Sequence, residues 1–109
     1  MTVAIARVTL VLAAAHSLKD KRMVLRRLKD RVRDKFNVSI AEVDAQDVWQ
    51  RAVVGITLVG GDRQHTEAAI DEVLRFVREN APVANDQHEL QTFGSGGELN
   101  GPDFTHWEG

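Results

Sequence analysis

Side chains that could bind phosphate are concentrated in one short part of the chain. Residues 17–35 hold nine of the fourteen Lys and Arg side chains and three acids, so this segment carries nine minus three, or six, net positive charges. The rest of the chain holds five basic and thirteen acidic side chains, which brings the formal net charge to −2. A concentrated positive field attracts phosphate backbones or acidic partners. It indicates a class of partner and not a reaction.

Patterns typical of catalysis are weak by comparison. The chain has no Cys and no G-x-S-x-G nucleophile motif. His65 and Glu67 are two residues apart, and such residues point to different faces of a helix. The GSGG at 94–97 is not followed by a helical pattern, so it is not a phosphate loop. We expect no enzyme, no catalytic residue, no cofactor and no metal, since paired metal-ligand spacing is absent among the histidines His16, His65, His88 and His106.

The elements that position these side chains can be predicted from periodicity. Apolar residues alternate along residues 3–12 and again along 51–59, and a period of two predicts strands. Residues 38–43 indicate another strand between these two. Residues 84–93 are mostly polar, which is typical of an edge strand at best.

Two amphipathic helices separate the predicted strands. The first begins after Ser17, with Asp20 completing a short capping box, and ends near Asn37, which we expect to adopt a left-handed conformation. The second spans about residues 63–80, with Asp62 as its N-cap. The residues of the first helix expected to face the core are Leu18, Leu25, Leu28, Val32 and Phe36.

The order strand, helix, strand, strand, helix, strand predicts an α+β protein with the ferredoxin-like split β-α-β fold. Right-handed crossovers place both helices on one face of a four-stranded antiparallel sheet with strand order 4-1-3-2. Residues 1–93 would form this single domain. Residues 94–109, with five Gly and one Pro, predict a disordered tail.

Three stretches of the sequence also resemble a known family. They are HSLKDKR at 16–22, KFNVSIAEVDAQDVWQRAVVGI at 35–56, and His65 followed by Glu67. In these the chain resembles the bacterial YlxP-like family, a domain of unknown function numbered 503, over about residues 3–93. The resemblance implies a small ferredoxin-like domain, often encoded beside translation and ribosome-maturation genes, without established catalytic residues.

The basic helix is the first candidate site. Five cations recur at steps of three or four residues and would form a stripe that follows phosphates. The alternative is a solvated helix face with ion pairs such as Arg26 with Asp30. The residues expected to bind nucleic acid are Lys19, Arg22, Arg26, Lys29 and Arg33.

Two further surfaces are candidates for partner contact. Trp49, Gln50 and Arg51 combine an aromatic surface with a cation and would contact a partner or a base, although Trp49 could instead close one end of the core. The sheet face opposite the helices lacks aromatic residues, so bases are not expected to stack there. Its aliphatic side chains predict a homodimer instead, through Val3, Ile5, Val53 and Val59.

These observations favour a cytoplasmic protein that contacts structured RNA, which we expect to be ribosomal. No run approaches the roughly twenty apolar residues of a membrane span, so no membrane partner is expected. Two alternatives remain open: a homodimeric protein-interaction scaffold, and a small-molecule-sensing domain suggested only by analogy with the fold.

Overall fold

The structure, a computed structural model, describes residues 1–94. It contains the six predicted elements in the predicted order, with ends that differ by one or two residues. The predicted tail lies outside the described residues except for Gly94. The elements are β1 (Thr2–Val11), α1 (Leu18–Lys35), β2 (Ser39–Asp44), β3 (Arg51–Gly60), α2 (Arg63–Asn80) and β4 (Val83–Thr92).

The four strands form one antiparallel sheet in the order β2-β3-β1-β4, which confirms the predicted ferredoxin-like topology. Both helices pack on the same face of this sheet. The even-numbered residues of β1 and β3 are buried in one core with the apolar stripes of the helices. They include Ala4, Ala6, Val8, Leu10, Val54 and Ile56. The odd-numbered residues point to the opposite face, called here the open face.

Helix α1 begins with the predicted cap. The Asp20 backbone N–H donates to Ser17 Oγ at 3.1 Å, and the Asp20 carboxylate accepts from the His16 backbone N–H at 3.0 Å. The prediction that Asn37 adopts a left-handed conformation is wrong. Within residues 1–94, Ala45 is the single non-Gly residue with a positive φ. The helix instead ends at Lys35, and the C-cap residue Phe36 is extended and packs its ring against Phe76, with 5.5 Å between the ring centroids.

Helix α2 has the predicted bounds, because both of its ends carry strong local signals. Asp62 Oδ1 accepts a hydrogen bond of 2.9 Å from the His65 backbone N–H and so caps the first turn. Pro82 follows two residues after the last helical residue, where a helix cannot easily continue. The buried residues of α2 are Thr66, Ile70, Val73, Leu74 and Val77.

The open face differs from the prediction at Val53, which was expected to be exposed but is buried. The cause is a β-bulge in β2 between Glu42 and Asp44. Val43 lies against Gly55, since a Cβ added to this glycine would be 3.1 Å from Val43 Cγ1. Asp44 of β2 is paired with Val53 in the strand register. The Asp44 carboxylate also forms an ion pair of 3.3 Å with Arg7 of β1, and this contact crosses β3 beside Val53. The bulge thus covers this part of the open face.

Candidate nucleic-acid interface

The five predicted cations lie together along one side of α1, called here the basic flank: Lys19, Arg22, Arg26, Lys29 and Arg33. At 3.6 residues per turn, they are about a quarter-turn around the helix from the buried Leu25, Leu28 and Val32. Lys29 is half-buried and the other four are exposed. The flank spans fourteen residue steps, or about 21 Å of helix.

The basic flank faces the edge strand β2 and is largely free of acidic neighbours. Arg33 Nη2 donates to the backbone carbonyl of Ile40 in β2 at 2.9 Å, which fixes the orientation of the flank. Within residues 1–94, the other four cations have no carboxylate within 4.0 Å, and the pair considered for Arg26 and Asp30 is not formed. Their charges are therefore available to a partner.

Lys21 is a cation of α1 that is not available to a partner. Its side chain is 2 % exposed, and its ammonium donates to the carbonyls of Ala45 and Val48, each at 2.6 Å. It also lies 2.7 Å from Glu42 Oε2, a buried oxygen that has no other polar contact in the described chain. Two hydrogen bonds and one ion pair thus offset the burial of this ammonium.

The role of Lys21 was missed in the sequence, although a signal was present. Lys21 is four residues before Leu25 and therefore occupies a position of the apolar stripe of α1. A cation at such a position must find acceptors in another part of the fold, because an unpaired buried charge is costly. The acceptors lie in residues 42–48, and this contact joins the start of α1 to the segment between β2 and β3.

Trp49 lies in the segment that Lys21 holds. Its side chain is 47 % exposed, so it does not close the core, which was the alternative interpretation. It borders a hollow of about 580 Å³ that reaches Ser17 and Leu18 at the start of α1, with Asp47 and Val48 on the other side. An exposed aromatic surface therefore lies at the end of α1 where the basic flank begins.

Gln50 and Arg51, the other two residues predicted to contact a partner, lie at different places relative to Trp49 and the basic flank. Gln50 is exposed, and its backbone carbonyl accepts from the Leu12 backbone N–H at 2.8 Å. Arg51 is exposed at the first position of β3. Because its neighbour Ala52 is buried under the helices, Arg51 lies on the open face. The structure thus brings Trp49 close to the basic flank and places Arg51 on the other side of the sheet.

The histidines of the described chain have other partners. His65 Nδ1 lies 2.6 Å from Asp62 Oδ2, and this hydrogen bond raises the pKa of His65. The pKa of Asp62 is lowered, chiefly because it accepts the His65 backbone N–H and then the ring. Glu67 instead contacts His88 Nε2 on β4 at 3.0 Å. His65 and Glu67 thus have different partners in the structure.

The structure also bears on membrane association. No helix within residues 1–94 combines the length and the apolar character that crossing a bilayer requires.

Comparison with known proteins gives a relative and a structural neighbour. The chain is 51 % identical over 63 residues to the uncharacterized protein YlxP of Bacillus subtilis (strain 168), covering 58 % of this chain and 68 % of YlxP. It is also similar to the de novo designed protein Ferredog-Diesel, with a TM-score of 0.40 and 14 % identity over 84 % of this chain and 85 % of that one. The model of the family described as "Protein of unknown function (DUF503)" matches residues 3–89, and the chain belongs to this family.

Proposed function

We propose that this protein is a non-enzymatic, cytoplasmic accessory factor that contacts the phosphate backbone of structured RNA, ribosomal RNA in particular, through the basic flank. The observation that carries the proposal is a row of exposed cations that form no ion pair with a carboxylate of residues 1–94: Lys19, Arg22 and Arg26. On a helix face that is merely solvated, cations are expected to alternate with acidic residues and to form ion pairs with them.

The charge distribution supports an oriented encounter with RNA. The basic segment 17–35 has a net charge of +6, whereas the rest of the chain has five basic and thirteen acidic side chains. RNA phosphates are attracted to α1 and repelled by the acidic rest of the protein. The electrostatic field of the protein therefore turns α1 toward the RNA backbone before contact. Each contact then releases counterions from the RNA, which supplies the binding free energy.

Phosphate contacts position a protein and carry little sequence information. Specificity would therefore come from the shape of the RNA and from Trp49, whose exposed ring can stack on an unpaired base next to the start of the flank. Arg51 is not part of this surface and would contribute only if the RNA reached the open face.

A salt titration of RNA binding tests the proposal. If all five cations of the flank contact phosphates, the slope of log K against log salt should be about −3.5 to −4.5. Replacing Arg22 or Arg26 by Ala should each flatten the slope by about one unit. Arg75→Ala is the matched control, because Arg75 is exposed on α2. Equal slopes for the parent and for both flank variants would contradict the proposal.

The open face supports a second candidate function, a homodimeric interaction scaffold. Ile5, Val43 and Val59 are 44 %, 56 % and 66 % exposed, and exposed aliphatic side chains on one sheet face favour self-association. Val53 is buried and adds nothing to this patch. Analytical ultracentrifugation should then give twice the monomer mass, reduced to the monomer mass by Val59→Lys. A parent that sediments as a monomer throughout the micromolar range would end this candidate.

A further inference from the structure

A cluster of potential metal ligands joins α2 to β4, away from the basic flank. Glu67 and Asp71 are one helical turn apart on α2, and His88 projects from β4. His88 is level with Ala6 in the register, and the burial of Ala6 under the helices places His88 on the helix side of the sheet. One oxygen of each carboxylate and a ring nitrogen of His88 lie within 4.8 Å of one another.

The distances in this cluster are close to those that a metal ion would impose. His88 Nε2 is 3.0 Å from Glu67 Oε1 and 3.8 Å from Asp71 Oδ1. Bonds of about 2.0 to 2.1 Å to a tetrahedral zinc ion place adjacent ligand atoms about 3.3 Å apart. The contact between His88 Nε2 and Glu67 Oε1 is thus close to this spacing, and Asp71 Oδ1 would have to move closer through a change of its side-chain torsions.

The charges around the cluster also suit a divalent cation. Two carboxylates converge on one imidazole, and within residues 1–94 neither Glu67 nor Asp71 has a Lys or Arg nitrogen within 4.0 Å. Arg78, on a later turn of α2, pairs instead with Asp86 at 2.9 Å. With a neutral imidazole the three ligands carry two negative charges, which a divalent ion neutralises.

We propose that Glu67, Asp71 and His88 form a binding site for a divalent first-row transition metal, with zinc as the ion to test. An imidazole with two carboxylates suits such metals better than it suits Ca²⁺, which prefers an all-oxygen shell. Three protein ligands leave a coordination position for water or for a ligand from another molecule. The site is independent of the proposed RNA contact, because it lies on α2 and β4 whereas the basic flank lies on α1.

Titration calorimetry of the untagged full chain with ZnCl₂ tests this site. We expect one bound ion per chain, and a loss of affinity on the order of tenfold or more for His88→Ala, since even the loss of an outer partner of a metal ligand commonly costs as much. Glu67→Gln and Asp71→Asn should each weaken binding as well. Bound Co²⁺ should give a visible absorption spectrum in the parent that is lost in His88→Ala.

His65→Ala is the matched control for the zinc titration. Like His88, His65 is an exposed histidine with a carboxylate neighbour, here Asp62, but it lies on α2 and has no second carboxylate ligand within the described chain. This variant should bind zinc as the parent does. The proposal is overturned if the parent binds no stoichiometric zinc, or if His88→Ala and Asp71→Asn, both folded by circular dichroism, bind it with the affinity of the parent.

Discussion

Helices α1 and α2 have the same length and equivalent places in the fold, yet their outer surfaces differ. Each has 18 residues and begins at a capped first turn. The buried residues common to both occupy the same positions, the fourth, eighth, eleventh and fifteenth. In α1 these are Lys21, Leu25, Leu28 and Val32, and in α2 they are Thr66, Ile70, Val73 and Val77.

The comparison separates what the fold requires from what it leaves free. Both helices meet the sheet through the same pattern of buried positions, so packing does not explain the excess of cations on the outside of α1. The outer surface of α2 is mixed in charge, with Arg75 and Arg78 near Asp71 and Glu79 in the sequence. The charge of α1 is therefore the better indicator of a partner.

The largest predicted effect concerns the fourth position of each helix. Lys21→Ala should lower the free energy of unfolding by about 3 to 5 kcal/mol, because it leaves the Glu42 carboxylate and two carbonyls without their cation. Thr66→Ala removes a single hydrogen bond to the Asp62 carbonyl and should cost about 1 kcal/mol. Urea denaturation measures both values. Equal losses for the two variants would show that the buried cation of α1 has no special role.

At the eighth position of each helix, substitution by Ala should lower the free energy of unfolding by similar amounts. Leu25 and Ile70 are 4 % and 0 % exposed. Replacing either by Ala should cost about 2 to 5 kcal/mol, since each change leaves a cavity in the same core. The same denaturation experiment compares them. A loss of only a few tenths for Leu25→Ala would mean that α1 packs more loosely than its burial indicates.

The smallest predicted effect distinguishes the two N-caps by their response to pH. The hydrogen bond to Asp62 raises the pKa of His65. Protonated His65 therefore adds its full contribution to the stability of the fold below the ordinary pKa of 6.5, and this contribution is lost as the pH rises through the raised pKa. The pKa of Asp62 is lowered. The ionised carboxylate of Asp62 therefore stabilises the fold above the ordinary pKa of 3.8, and this stabilisation is lost as the pH falls through the lowered pKa.

The Asp62–His65 pair should therefore add most stability between those two ordinary values. Denaturation of the parent and of His65→Ala should differ more at a pH within this interval than at alkaline pH. The effect should be small, because both side chains are exposed. Ser17, the cap of α1, does not titrate, and Ser17→Ala should lower stability equally at both pH values. A His65→Ala difference that does not change with pH would contradict this account.

Local signals in the sequence are enough to predict most of the fold. Asp62 and Pro82 mark the ends of α2, and the period of two along β1 and β3 identifies the central strands. The features that sequence reasoning missed depend on contacts between distant residues. Lys21 finds its acceptors 21 to 27 residues later, and the burial of Val53 follows from a bulge in another strand.

The candidate sites are predictable to a similar extent. The basic flank follows from helical spacing, so the sequence alone assigns its five cations to one side of α1. The exposure of Trp49 and the separation of Arg51 from it depend on how the segment between β2 and β3 is held. The cluster at His88 depends on the packing of α2 against β4, which no spacing in the sequence reveals.

The most direct test compares two double charge reversals, one on each helix. Arg22→Glu with Arg26→Glu changes the basic flank, and Arg63→Glu with Arg75→Glu makes the same change in net charge on α2. All four side chains are exposed, so the melting temperatures should remain close to that of the parent. In binding to ribosomal RNA at low salt, the account predicts that the α1 variant loses binding and the α2 variant retains most of it. Equal binding by the two variants would contradict the account.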